Sequence, residues 1–135
     1  MERSYRYTVL TEMKNQTKNA KAKAVVTRLG TLPGGILRTI TMDNGKENYC
    51  HEEIANDLDV KTYFCHAYSS WEKGSVERMI KDIRRFIPKG VPLTKVSKSK
   101  LEWIEIWLNN YPRKCLGYAT PYEKMQQLIY KLEST

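Results

Sequence analysis

Residues 36–42, Ile-Leu-Arg-Thr-Ile-Thr-Met, are a short, largely apolar and β-branched run, bounded by Pro33-Gly34-Gly35 on one side and Asp43-Asn44-Gly45 on the other. Such a run is too short for a helix and reads as a buried strand that stops at Asp43. Just beyond it, Ile54, Ala55 and Leu58 share one face of a helix over about residues 51–57, and residues 61–65 read as the next strand. Strand, helix and strand in so few residues fit a crossover unit, which points to an α/β architecture.

The flanks fit that class. Tyr5, Tyr7 and Val9 alternate with Arg6, Thr8 and Leu10, the period of a half-exposed strand, here residues 5–12. Thr17 is placed to cap a helix over residues 18–29, with Ala22, Val25, Val26 and Leu29 as its apolar stripe and Gly30 as its stop. Residues 66–74 are polar and aromatic and read as a loop before a helix that begins near Ser75 and ends at Pro88-Lys89-Gly90. A further helix is expected over residues 99–110. The last opens at Thr120-Pro121-Tyr122-Glu123, with Thr120 as cap, Pro121 in the first turn and Glu123 closing a capping box. Tyr122, Met125, Leu128, Ile129 and Leu132 are its expected inward face. The whole chain, 1–135, reads as one domain whose part from about residue 97 onward is helical.

Charge points to the partner. Lys and Arg number 23 against 15 Asp and Glu, a net charge of +8, which favours a polyanion and puts nucleic acid first. The N-terminus has no apolar signal region, and no run approaches the roughly 18 apolar residues that cross a bilayer, so a cytoplasmic protein without a membrane partner is expected. Cys50, Cys65 and Cys115 match neither a disulfide framework nor paired zinc-ligand spacing and are expected to be reduced and structural. His51 and His66 likewise lack metal-ligand spacing, which favours a surface role.

Two carboxylates carry the chemistry. Asp43 ends a strand, where α/β sheets place their sites. Asn44 can bond the local backbone and Gly45 permits a tight turn. Alone, Asp-Asn-Gly is equally a structural turn. The second carboxylate, Glu77, lies in Ser69-Ser70-Trp71-Glu72-Lys73-Gly74-Ser75-Val76-Glu77-Arg78. At about 100° per residue, Glu77, Lys81 and Arg84 fall within about 60° on one helix face, beside a stripe of Val76, Ile80, Ile83 and Ile87 expected to bury against the sheet. A carboxylate followed by cations suits a metal site that handles a DNA backbone; the alternative is an exposed helix with a Glu-to-Lys ion pair four residues apart. Mg²⁺ takes one or two carboxylates per ion, and a two-ion site can be served by three acidic residues, of which Asp43 and Glu77 are candidates for two.

Four ordered blocks resemble the catalytic core of bacterial transposases of the insertion sequence thirty family: Thr41 through Glu47; Tyr68-Ser69-Ser70-Trp71 with Gly74-Ser75-Val76-Glu77; Ile83-Arg84-Arg85-Phe86-Ile87-Pro88-Lys89-Gly90; and the stretch from Asn109 to Glu123 that holds Pro112-Arg113-Lys114-Cys115-Leu116-Gly117. The resemblance implies an α/β, ribonuclease-H-like mixed sheet flanked by helices. It implies a metal-dependent polynucleotidyl transferase using Mg²⁺ or Mn²⁺, with Asp43 as the second acidic residue, Glu77 as the third and Arg84 as the basic residue two turns later. His66-Ala67-Tyr68 departs from the proline that usually precedes the tyrosine, and Arg78 stands for a common asparagine.

The family's first Asp has no counterpart in the chain. The expected fold is accordingly N-terminally truncated, lacking the first strand and most of the second, and the family's helix-turn-helix has no match either. Glu2 and Glu12, the only acidic residues before Asp43, fall where the family places other strands. Two functions follow as expectations. One is a transposase or integrase catalytic-core fragment that joins little or no DNA by itself and binds the metal weakly or not at all. The other is a non-catalytic nucleic-acid-binding or regulatory fragment that pairs with a full-length transposase or a complementary N-terminal half. Lys73, Lys81, Arg84, Arg85, Asn44 and Trp71 are the expected DNA contacts, with Lys89 and the cluster Lys95, Lys98 and Lys100 as further phosphate contacts or as a solvated helix entrance. Lys46, Glu47 and Ser70 flank the site. Trp103 and Trp107 suit core or a subunit contact better than base stacking.

Overall fold

The computed structural model describes residues 1–13, 17–43, 45, 48, 50–65, 74–92 and 95–134. They fall into two compact units, residues 11–72 and residues 1–10 together with 73–135.

The first unit is the crossover expected from the sequence. Helix α1 (Lys18–Leu29) is capped by Thr17, whose hydroxyl accepts from the Ala20 N–H. Gly30 closes it in right-handed helical conformation, φ −65°, so the stop does not use glycine's left-handed freedom. Strand β1 (Thr39–Met42) leads through helix α2 (His51–Leu58) into strand β2 (Lys61–Phe64). Asp59 ends α2 at φ 52°, a left-handed position that a short polar side chain tolerates. The strands pair in parallel, Thr39 against Lys61 and Met42 against Phe64, and the Cys65 N–H continues the ladder to the Met42 carbonyl at 2.8 Å. Ala22, Met42 and Ile54 form the core, with Val25, Val26, Ile40, Cys50 and Leu58 around it.

The sheet differs from the expectation in two ways. Among the described residues it has two parallel strands rather than a mixed set. β1 is also four residues long and covered on one face, with Thr39 and Thr41 exposed and Met42 buried, where a fully buried seven-residue strand was expected. Thr39 and Thr41 are β-branched, which suits a strand, but their hydroxyls suit its wet face.

The second unit is helical. Helix α3 (Gly74–Ile83) is followed by turns to Ile87, then α4 (Lys98–Asn109), a 3₁₀ turn (Lys114–Leu116) and α5 (Pro121–Glu133). Ser97 caps α4 through the Lys100 N–H, and Thr120 caps α5 through the Glu123 N–H with Pro121 in the first turn. Ile87, Ile104 and Leu108 are the core, packed by Leu10, Ile83, Phe86, Val96, Leu101 and Trp107. Ile83 and Ile87 thus bury among α4 side chains, whereas Ile80 of the same stripe is 45% exposed. Tyr122, expected inward on α5, is exposed, while Met125 is buried.

Residues 5–12 do not form the expected strand. Glu2 turns the segment back by accepting from the Ser4 and Tyr5 N–H groups, and Arg6 takes a left-handed φ of 62°. Thr8 then pairs with a side chain: its N–H donates to Asn109 Oδ1 at 2.8 Å, and Asn109 Nδ2 donates back to its carbonyl at 2.8 Å. An alternating segment needs a neighbouring ladder to become a strand, and here an amide on α4 takes that place.

Candidate functional site

Asp43 directly follows the last residue of β1, at the carboxyl end of the parallel pair, and its side chain is exposed. Its backbone and carboxylate are both held by Asn48. The Nδ2 group of Asn48 donates to the Asp43 main-chain carbonyl at 2.7 Å and to Asp43 Oδ1 at 2.7 Å. Asn48 is 1% exposed, its own N–H donates to the Gly45 carbonyl at 3.0 Å, and among the described residues its Oδ1 is buried without a hydrogen-bond partner. Sequence reasoning missed this residue. An asparagine five positions past an aspartate has no distinctive spacing, and only the loop that folds it back reveals the contact.

Glu77 occupies the first turn of α3 and is exposed, and Lys81 one turn on is exposed as well. Arg84 lies one residue beyond the helix, but its N–H still donates to the Ile80 carbonyl at 3.0 Å, so the helical phase relating it to Glu77 and Lys81 continues. Its Nη1 donates to the Ile87 carbonyl at 3.4 Å. Arg85 is mostly exposed and lies 4.0 Å from Asp82. Among the described residues no ion pair joins Glu77 to Lys81. Lys89, Lys95, Lys98 and Lys100 are exposed.

Asp43 and Glu77 belong to different compact units. Among the described residues no group of three His, Cys, Asp or Glu is placed to hold a metal ion. Each of Asp43 and Glu77 is by itself an exposed carboxylate, the kind of oxygen donor that a hard divalent cation takes. Asn44, Lys46, Glu47, His66, Ser70, Trp71 and Lys73, singled out above, lie outside the described residues.

The remaining candidates have ordinary packing roles. His51 Nδ1 lies 3.2 Å from the Thr62 hydroxyl, and its ring meets Phe64 edge-on. Phe86 packs edge-on against Trp103 and Trp107, and Trp107 packs on Tyr111, although Trp103 remains 53% exposed. Cys50 and Cys115 carry free thiols. No described helix is long and apolar enough to cross a membrane.

No family model matches the chain. Individual relatives do. The transposase of insertion sequence element IS4351 from Bacteroides fragilis is 52% identical over 94 residues, 70% of this chain and 29% of that protein. The transposase of IS1086 from Cupriavidus metallidurans is 30% identical over 96% of this chain and 38% of its own length. Transposase InsI of IS30A from Escherichia coli K12 is 30% identical over 94% of this chain and 33% of its own length. Among solved structures, the catalytic core domain of BIV integrase superposes with a TM-score of 0.61 at 18% identity, covering 93% of this chain and 80% of that one, which establishes the fold. The chain spans about a third of the length of these transposases. Over most of its own length it is a homologue of the insertion sequence thirty transposases, built on the fold of an integrase catalytic core.

Proposed function

We propose that residues 1–135 contribute two of the three carboxylates of a metal-dependent DNA strand-joining site, as part of a transposase catalytic core. The observation that carries this reading is Asp43 at the carboxyl end of β1, held by a buried amide, in a chain whose relatives are named transposases. In this reading Asp43 and Glu77 offer oxygen ligands to Mg²⁺ or Mn²⁺. Ions held there would supply activation of the attacking oxygen and stabilisation of the leaving oxygen. Lys81, Arg84 and Arg85 hold backbone phosphates beside Glu77, with Lys73, Asn44 and Trp71 as further DNA contacts. Transposon ends and target DNA are the partners.

The 135-residue chain alone is proposed to join no DNA, because the family's first Asp has no match within it. Incubating supercoiled plasmid with Mg²⁺ or Mn²⁺ tests this: the chain leaves the plasmid intact. Metal-dependent nicking that disappears in Glu77→Gln would overturn the proposal and place a complete site within these residues.

A second reading, favoured by the exposed Lys81, Arg84, Arg85 and Lys89, is a DNA-binding fragment that acts through a full-length transposase or a complementary N-terminal half. It predicts DNA binding that weakens steeply with salt and needs no divalent ion. Loss of DNA binding on chelation would count against it.

A further inference from the structure

We propose that Asn48 is the positioning residue for Asp43, fixing the pose in which its carboxylate meets a divalent cation; the inference rests on the metal-ligand reading of Asp43 given above. One primary amide grips Asp43 at both ends. Its two hydrogens go to the main-chain carbonyl where the chain leaves β1 and to Oδ1 of the side chain, each at 2.7 Å. With backbone and carboxylate tied to the same nitrogen, the two side-chain torsions of Asp43 are confined to one arrangement. The clamp is itself anchored, because Asn48 is 1% exposed and its N–H is bonded to the Gly45 carbonyl. The amide cannot be turned over, since Oδ1 would then face two oxygen acceptors.

The orphaned oxygen shows what the amide is for. Asn48 Oδ1 is buried without a partner, a cost in free energy that an apolar side chain of similar volume would not incur. A residue placed there to fill space would not be an amide. The compensating bonds of the side chain run entirely through Nδ2, and both end on Asp43. A carboxylate oxygen that accepts one hydrogen bond keeps lone-pair capacity for a cation, so the clamp and coordination are compatible. Groups that orient a metal ligand in this way typically change affinity by about 10- to 100-fold when removed.

The test uses the 135-residue chain and two readouts, neither of them catalytic. NMR of the Asn48 side-chain amide reports the clamp directly: its protons exchange slowly in the parent and rapidly in Asp43→Ala. Calorimetric titration with Mn²⁺ reports its consequence: Asn48→Ala weakens binding about tenfold, while Ile54→Val, a core control in the same unit, leaves affinity unchanged although it lowers the melting temperature. An Asn48 amide that exchanges as freely as an exposed one, or an affinity unmoved in Asn48→Ala but abolished in Asp43→Asn, overturns the positioning role and leaves the metal-ligand reading standing. Absence of Mn²⁺ binding by the parent chain, or equal binding by Asp43→Asn, overturns the metal-ligand reading and the positioning role with it.

Discussion

Arg113 is held by three unlike partners. Its Nη1 reaches Asp82 Oδ2 at 3.4 Å, its Nη2 donates to the Leu108 carbonyl at 3.2 Å, and its guanidinium lies 5.3 Å from the centre of the Tyr111 ring. Both members of the ion pair are largely buried, with side-chain exposures of 18% and 16%, and the Arg113 Nε is buried without a partner. Removing Arg113 leaves Asp82 with only the mostly exposed Arg85 at 4.0 Å, so Arg113→Met is expected to cost about 2 kcal/mol in urea denaturation. A loss below about 1 kcal/mol would mean that the pair behaves as a solvent-screened one. Arg113 stood out in the sequence only as part of a family block, because Asp82 lies 31 positions away and no spacing rule joins them. Asn48 lies only five positions from Asp43, but that spacing matches no helix or strand period either. Single residues whose worth lies in a tertiary partner are invisible to periodicity, whereas Asp43, whose place follows from where a strand stops, was legible.

At the scale of elements, legibility followed how local the cause was. Thr17 and Thr120 cap the helices they were expected to cap, because a hydroxyl accepting an N–H three residues on involves nothing outside the first turn. Helix α4, expected over residues 99–110, begins one residue earlier at Lys98 and is capped by Ser97. Strands depend on neighbours: β1 and β2 lie where strands were expected, whereas residues 5–12 have the alternation of a strand but Thr8 and Leu10 are bonded to side chains of α4. Leu10 N–H donates to Glu105 Oε1 at 2.7 Å, and Asn109 supplies both a donor and an acceptor to Thr8. Asn109 is 4% exposed and Thr8 1%, so Asn109→Ala strands an N–H and a carbonyl away from water. The expected loss is about 2 kcal/mol, with roughly thirtyfold faster exchange of the Thr8 amide while the α4 amides stay protected. Uniform acceleration through α4 would instead show that the bond supports the whole helical unit.

At the scale of the whole molecule, the charge of +8 is the feature with the longest reach, and it was readable from composition alone. Its distribution was less so. Lys81 and Arg84 continue the helical phase of Glu77 and Arg85 follows in the turn beyond, whereas Lys98 and Lys100 sit in the first turn of α4, where a cation opposes the helix dipole. Both sets are exposed, and exposure alone does not distinguish phosphate contacts from a solvated face. Salt dependence does. Each cation that neutralises a DNA phosphate contributes about −0.9 to the slope of log K against log salt. Replacing Lys81, Arg84 and Arg85 together by Gln is therefore expected to make that slope about 2–3 units less steep in anisotropy titrations with duplex DNA. The matching replacement of Lys95, Lys98 and Lys100 is expected to move it by less than about one unit. The reverse result would place the DNA along the entrance to α4 rather than beside Glu77. It would also separate the basic surface from the carboxylate it is proposed to serve, since phosphates gathered away from Glu77 gain nothing from a cation bound there.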